Sequence, residues 1–130
     1  MRLQPAKGRS ILLVEDDEII RRAMQMVLEW EGYQVDCASN GQEALDFLHA
    51  GARPSLILLD VMMPVLDGEQ FRQQQKEDPA LASIPVIVVS AASFSSAIDA
   101  VYHVRKPFEV QDLLNAIHDH VPELAARPGA

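Results

Sequence analysis

Cysteine is nearly absent. Cys37 stands alone in 130 residues, which excludes an internal disulfide and any zinc cluster built on cysteines. Its apolar neighbourhood reads as a core position. Positive charge is also short: 11 Lys and Arg against 19 Asp and Glu, a net charge of −8. So acidic a chain is a poor candidate for gripping nucleic acid or anionic lipid directly, and it favours cations or basic partner surfaces. No apolar run approaches membrane-spanning length, and Met1 to Arg9 has no apolar signal region. A cytoplasmic protein is expected. No Gly-rich phosphate loop follows the first apolar run, which weakens any nucleotide-binding reading. Internal repeats, low-complexity tracts and linkers are missing too, so one domain over 1–130 is expected, with flexible ends at 1–9 and 123–130.

What is present is alternation. Short apolar runs, Ile11–Val14, Tyr33–Cys37, Leu56–Asp60, Pro85–Val89 and Val101–Arg105, read as five strands. The second alternates with polar Gln34 and Asp36, as suits an edge strand. Between the runs lie helical patterns. Ile20, Ala23, Met24, Val27 and Leu28 recur on one face, with Gly32 as the stop. Asn40 and Glu43 have near capping-box spacing, ahead of Ala44, Phe47 and Leu48, and Gly51 ends that helix. Gly68 to Asp78 is polar, with Phe71 as anchor. Val110, Leu113, Leu114 and Ile117 mark the last helix. Strand alternating with helix predicts an α/β fold, a doubly wound, five-stranded parallel sheet.

A parallel sheet puts all strand C-termini on one edge, where such folds place their chemistry. The first strand runs into Glu15-Asp16-Asp17, the third ends at Asp60, the fourth at Ser90 and the fifth at Lys106-Pro107. Alone, each has a bland explanation: acids after a strand cap the next helix, as Asp17 could, Ser marks turns and Lys-Pro marks loop entries. Together they place several acids, a hydroxyl and an ammonium at one site. Carboxylates about 4 Å apart repel by roughly 4 kcal/mol at an effective dielectric near 20. Lys106 supplies one counter-charge, and the remainder points to a divalent cation. An all-oxygen donor set suits magnesium.

These residues resemble the receiver domain of two-component response regulators, the CheY-like family. The matching stretches are Leu13-Val14-Glu15-Asp16-Asp17, Asp60 to Gly68, Val88-Val89-Ser90-Ala91 and Lys106-Pro107-Phe108, in the family's order along nearly the whole chain. The resemblance implies a flavodoxin-like (βα)5 sheet with strand order 2-1-3-4-5. It implies that Asp60 is the phosphoacceptor, that Glu15, Asp16, Asp60 and the backbone carbonyl of Met62 hold Mg2+, and that Ser90 and Lys106 bind the phosphoryl group. Pro107 would follow a cis peptide bond. Ser90 would act as a switch together with the residue three before the lysine, His103, which could equally be an inert histidine. Met63, Pro64, Asp67 and Gly68 look structural, Gly68 permitting a tight turn. The implied partners are a histidine kinase or histidine phosphotransfer protein and a downstream protein target, without direct nucleic-acid or membrane contact; a homodimer is compatible. The chain would be a stand-alone, self-catalysed phosphoacceptor, not a turnover enzyme.

One segment departs from the pattern. Ser90 and Lys106 are only sixteen residues apart, fewer than the family norm. A parallel connection usually needs at least 10–12 residues, and Ala91 to Ala100 supplies about ten. The helix between strands four and five is therefore expected to be short or irregular, anchored by Phe94 and Ile98. Two rivals remain: a receiver fold acting without phosphorylation, and a small aspartyl-nucleophile phosphatase. The latter wants an acid where Met62 stands. Met62 and Ala92 also offer no group to orient an attacking water, so a long-lived phosphoryl state is expected.

Overall fold

The structure is a computed structural model and describes residues 10–61, 66–91 and 98–125. The elements run β1 (Ser10–Val14), α1 (Glu18–Trp30), β2 (Gln34–Ala38), α2 (Gly41–His49), β3 (Leu56–Asp60), α3 (Gly68–Glu77), β4 (Val86–Ala91), β5 (Tyr102–Lys106), α4 (Val110–His120) and α5 (Pro122–Ala125). All strand pairings are parallel, and the sheet order is β2-β1-β3-β4-β5, as expected.

Strand side chains alternate between faces, and the core divides accordingly. Ile11, Leu13, Leu56, Leu58, Ile87, Val89 and Val104 pack under α1 and α4 with Met24, Leu28, Leu113 and Ile117. Leu12, Val14, Ile57, Leu59, Val86 and Val88 pack under α2 and α3 with Leu45, Leu48 and Phe71. Each fully buried Leu or Ile contributes about 1.5–3 kcal/mol. β1 and β3 are buried on both faces, so they read as unbroken apolar runs rather than alternating ones.

The helix ends follow local chemistry. Asp17 caps α1, accepting from the Ile20 N–H at 3.0 Å. Asn40 caps α2 through the Glu43 N–H at 2.8 Å, whereas the Glu43 carboxylate turns back to the Ser39 N–H, one residue earlier than a full capping box requires. A reciprocal box forms at α3, between Asp67 and Gln70. Gly32 and Gly51 follow their helices with φ of 98° and 114°, backbone that L side chains rarely adopt.

Four expectations need correction. The apolar face of α1 is narrower than its periodicity implies: Met24 and Leu28 are buried, Val27 is half-buried, and Ile20 and Ala23 are exposed. Cys37 is exposed, not core. It lies on edge strand β2 beside the polar flank of α1, its thiol 3.4 Å from Gln25 Oε1. The expected loose end does not begin at 123, because Pro122–Ala125 forms a helical turn with Leu124 fully buried. Gly68 serves close approach rather than an unusual turn. A Cβ there would lie 2.8 Å from the Asp60 carbonyl oxygen and 2.9 Å from Val61 Cα.

Between β4 and β5 no helix occurs among the described residues. Phe94 lies outside them. Ile98 is buried, and the segment after it is clamped from two sides. The Arg72 Nε of α3 donates to the Asp99 carbonyl at 2.7 Å, and Lys76 Nζ lies 3.2 Å from the Asp99 carboxylate. His103 Nε2 lies 3.0 Å from the Ile98 carbonyl. A carbonyl only accepts, so that ring nitrogen is the donor.

Candidate phosphoacceptor and metal site

The strand ends converge as the topology requires. The Glu15 N–H donates to the Ala38 carbonyl at 3.0 Å, holding the exit of β1 against β2. Asp60 ends β3 between β1 and β4 and is only 6% exposed. Ser90, near the end of β4, is buried, and Lys106 ends β5 half-buried. Glu15, Asp16, Asp60, Ser90 and Lys106 line one cavity of about 260 Å³ with Asp17, Ile20 and Val61.

Lys106 Nζ lies 3.4 Å from Glu15 Oε1 and 3.4 Å from Asp60 Oδ1. One ammonium thus serves two buried carboxylates, and it does not suffice for both. Burial first, then the neighbouring Asp60 charge, pushes Glu15 from 4.5 up to about 7, against the opposing pull of the Asp17 N–H and Lys106. Burial also raises Asp60, although Lys106 opposes this. For Lys106 itself burial acts downward, but the charges of Asp60 and Glu15 outweigh it and the net shift is upward. The two acids form a coupled pair that holds one proton between them far more tightly than free carboxylates would.

Asp16 completes the donor set. It is exposed, and Glu15, Asp16 and Asp60 each offer a carboxylate oxygen within 4.8 Å of the others. Among the described residues this is the one such group of three. Hard oxygen donors, open to solvent on one side and carrying surplus negative charge, fit a partly hydrated divalent cation of magnesium type.

Arg21 was not foreseen in this setting. Its Nη1 donates to the backbone carbonyls of Glu15 at 3.0 Å and Asp16 at 3.5 Å, so α1 holds the acid-bearing turn from behind. An Arg on the first turn of a helix after an acidic loop is the available signal, and it is a weak one. His103 does not line the cavity; its ring is engaged with Ile98. Met62 and Ala92 lie outside the described residues. The Lys106–Pro107 peptide is cis.

A family model for the response regulator receiver domain matches residues 11–118. The chain belongs to this family. Among receivers and their relatives, it is 43% identical over 114 residues to the transcriptional regulatory protein YkoG of Bacillus subtilis (strain 168), covering 82% of this chain but only 48% of that protein. It is 34% identical over 125 residues to protein PilG of Pseudomonas aeruginosa, covering 92% of each. The receiver domain of the sensor histidine kinase PA1611 from Pseudomonas aeruginosa PAO1 shares the fold at a TM-score of 0.81. It is 24% identical, covers 88% of this chain and 98% of that one, and has a magnesium ion coordinated in its active-site cleft. The chain thus spans about half the length of YkoG and nearly all of PilG. No helix among the described residues of this receiver is long and apolar enough to cross a membrane.

Proposed function

We propose that this receiver accepts a phosphoryl group on Asp60 from a histidine kinase or histidine phosphotransfer protein in the cytoplasm, and signals by changed contacts with a protein partner. The observation that carries this reading is the pairing of one half-buried ammonium with two buried, proton-hungry carboxylates in an open cavity. An Asp60 carboxylate oxygen forms the new bond to phosphorus as the donor's N–P bond breaks. The bonding pair stays on the donor imidazole nitrogen, which takes up a proton. Lys106 Nζ, already beside Asp60, meets the arriving phosphoryl oxygens, and the Ser90 hydroxyl offers a donor from the neighbouring strand. Little covalent chemistry is left to the protein, whose contribution is positioning and neutralisation. Glu15, Asp16 and Asp60 would hold magnesium, which supplies positive charge against the transferred group. The Met62 carbonyl is carried as a further ligand on the family resemblance alone.

Ser90 and His103 are proposed as the switch. Ser90 precedes the β4–β5 connection, and His103 bonds its far end at Ile98. A hydroxyl drawn toward a phosphoryl group pulls on one end of a segment whose other end His103, Arg72 and Lys76 hold.

The test is intact mass after treatment with magnesium and acetyl phosphate. One added phosphoryl group on the native chain, and none on Asp60→Asn, supports the reading. An unlabelled native chain would sink it and leave a receiver fold that acts by contact alone. In the labelled chain, apolar Met62 and Ala92 predict slow spontaneous loss of the group.

A further inference from the structure

Three acids in succession, Glu15, Asp16 and Asp17, make the turn between β1 and α1. Like charges this close repel, so the turn needs ties from elsewhere to keep one shape. Its two ends have them. The Glu15 N–H donates to the Ala38 carbonyl at 3.0 Å, and Asp17 caps α1 through the Ile20 N–H at 3.0 Å. The middle is different. Burial and Lys106 fix the carboxylates of Glu15 and Asp60, whereas Asp16 is exposed and takes its place from the backbone of the turn.

Arg21 gathers that backbone. Its N–H donates to the Asp17 carbonyl at 2.8 Å. Its Nη1 reaches back to the Glu15 carbonyl at 3.0 Å and the Asp16 carbonyl at 3.5 Å. One residue thus donates to the carbonyls of all three acids. The bond to Glu15 is charge-assisted and of ordinary length, whereas 3.5 Å is the outer limit, so the Glu15 carbonyl carries the larger share. That carbonyl belongs to the peptide joining Glu15 to Asp16, and fixing it sets the direction in which Asp16 leaves. Arg21 itself does not line the cavity.

We infer that Arg21 is a positioning residue for the cation: it holds the acid turn in the shape that brings the Asp16 carboxylate to those of Glu15 and Asp60. This rests on the reading of those three acids as the holders of magnesium. Charge alone argues the other way. A guanidinium near an acidic cluster repels an arriving cation, so its loss should tighten magnesium binding. Positioning has the opposite sign, because losing a group that orients a metal ligand typically weakens binding about 10–100-fold. The direction of the change therefore separates the two.

The experiment titrates the metal-free full chain with magnesium chloride by calorimetry. No phosphodonor is present, so the result is independent of whether Asp60 accepts phosphate. Arg21→Met keeps an apolar stem and a similar helix propensity while removing the donors and the charge. Magnesium affinity should fall about tenfold. Arg22→Met removes the same charge one residue on, from an exposed side chain paired with Glu18 at 2.9 Å, and should leave the affinity unchanged or slightly raised. A second readout is the magnesium dependence of labelling by acetyl phosphate. In Arg21→Met the half-saturating magnesium concentration should rise about tenfold, while the rate at saturating magnesium stays within about twofold of native, a split that general loosening of the fold would not produce. Thermal unfolding in chelator confirms that each variant folds, and Arg21→Gln, too short to bridge the turn, repeats the comparison with a polar side chain. An Arg21→Met chain that binds magnesium as tightly as the native chain, or more tightly, would overturn the inference and leave the magnesium site standing. Equal weakening by Arg22→Met would overturn it too. A native chain that takes up no magnesium would remove both the inference and the site reading beneath it.

Discussion

Lys106 Nζ is equidistant, at 3.4 Å, from Glu15 Oε1 and Asp60 Oδ1, two carboxylates delivered by different strands. A third strand supplies the ammonium, so the charge balance of the cavity exists only when β1, β3 and β5 lie in one sheet. Replacing the lysine with an uncharged chain of similar length isolates its role. Lys106→Met should slow magnesium-dependent labelling of Asp60 by acetyl phosphate about 100-fold, the scale of losing one preorganised donor to a developing anion. It should also push Glu15 further up. The labelling rate by intact mass is the measurement, and an unchanged rate would remove Lys106 from the chemistry.

The raised acids make metal-free stability depend on pH, with a definite sign. Glu15 takes up its proton near 7 in the fold and near 4.5 when unfolded. Its protonated form stabilises fully below 4.5, and that contribution is lost as pH rises through 7. Without magnesium, thermal stability should therefore fall between about pH 5 and pH 8, by at most about 3 kcal/mol from this group. Asp60 acts in the same direction. Magnesium displaces the proton, so its affinity should rise over the same interval. Asp60→Asn removes the second largest cause of the Glu15 shift and should stabilise the metal-free protein above pH 7. Thermal melts with and without chelator decide this, and a metal-free stability that climbs with pH would contradict it.

Gly68 is held by lack of room. A methyl group at this position would press on the Asp60 carbonyl oxygen and on Val61 Cα, both backbone and neither able to swing aside. Gly68→Ala should cost about 1–3 kcal/mol and should weaken phosphoryl labelling more than a surface change of equal destabilisation, since the displaced atoms belong to the acceptor residue and the one that follows it. Urea unfolding together with labelling rates tests both halves.

Gln75 is a buried polar residue of α3, fully inaccessible. Its Nε2 donates to the carbonyls of Leu81 at 2.9 Å and Ile84 at 3.1 Å, while Oε1 accepts from Arg72 at 2.8 Å. Gln75→Leu keeps the bulk and strands the Ile84 carbonyl, while the Leu81 carbonyl keeps the Ile84 N–H at 3.1 Å, so a loss of about 1–3 kcal/mol is expected, read as a lowered midpoint of denaturation. A neutral outcome would mean that water reaches the Ile84 carbonyl instead.

Much of this molecule is written in local pattern. Ile11–Val14 and Leu56–Leu59 are unbroken apolar runs because both faces of a central parallel strand are covered, and acids placed directly after such runs can only lie at the sheet's C-terminal edge. Asp17, Asn40, Gly32 and Gly51 announce helix ends because the groups they satisfy are a few residues away. The parallel sheet, Asp60 and its acidic neighbours were therefore legible, whereas the strand order came from the family resemblance.

What the sequence alone determined is the fold class, the residues at the strand ends and the surplus of negative charge among them, since periodicity and nearest-neighbour chemistry carry those. Only the tertiary structure decided that Gln75 is core, that Cys37 is exposed and that His103 bonds the Ile98 carbonyl. The same holds for the turn of Arg21 back onto the acid loop. Each depends on which element lies alongside, a distance in space that no spacing along the chain encodes.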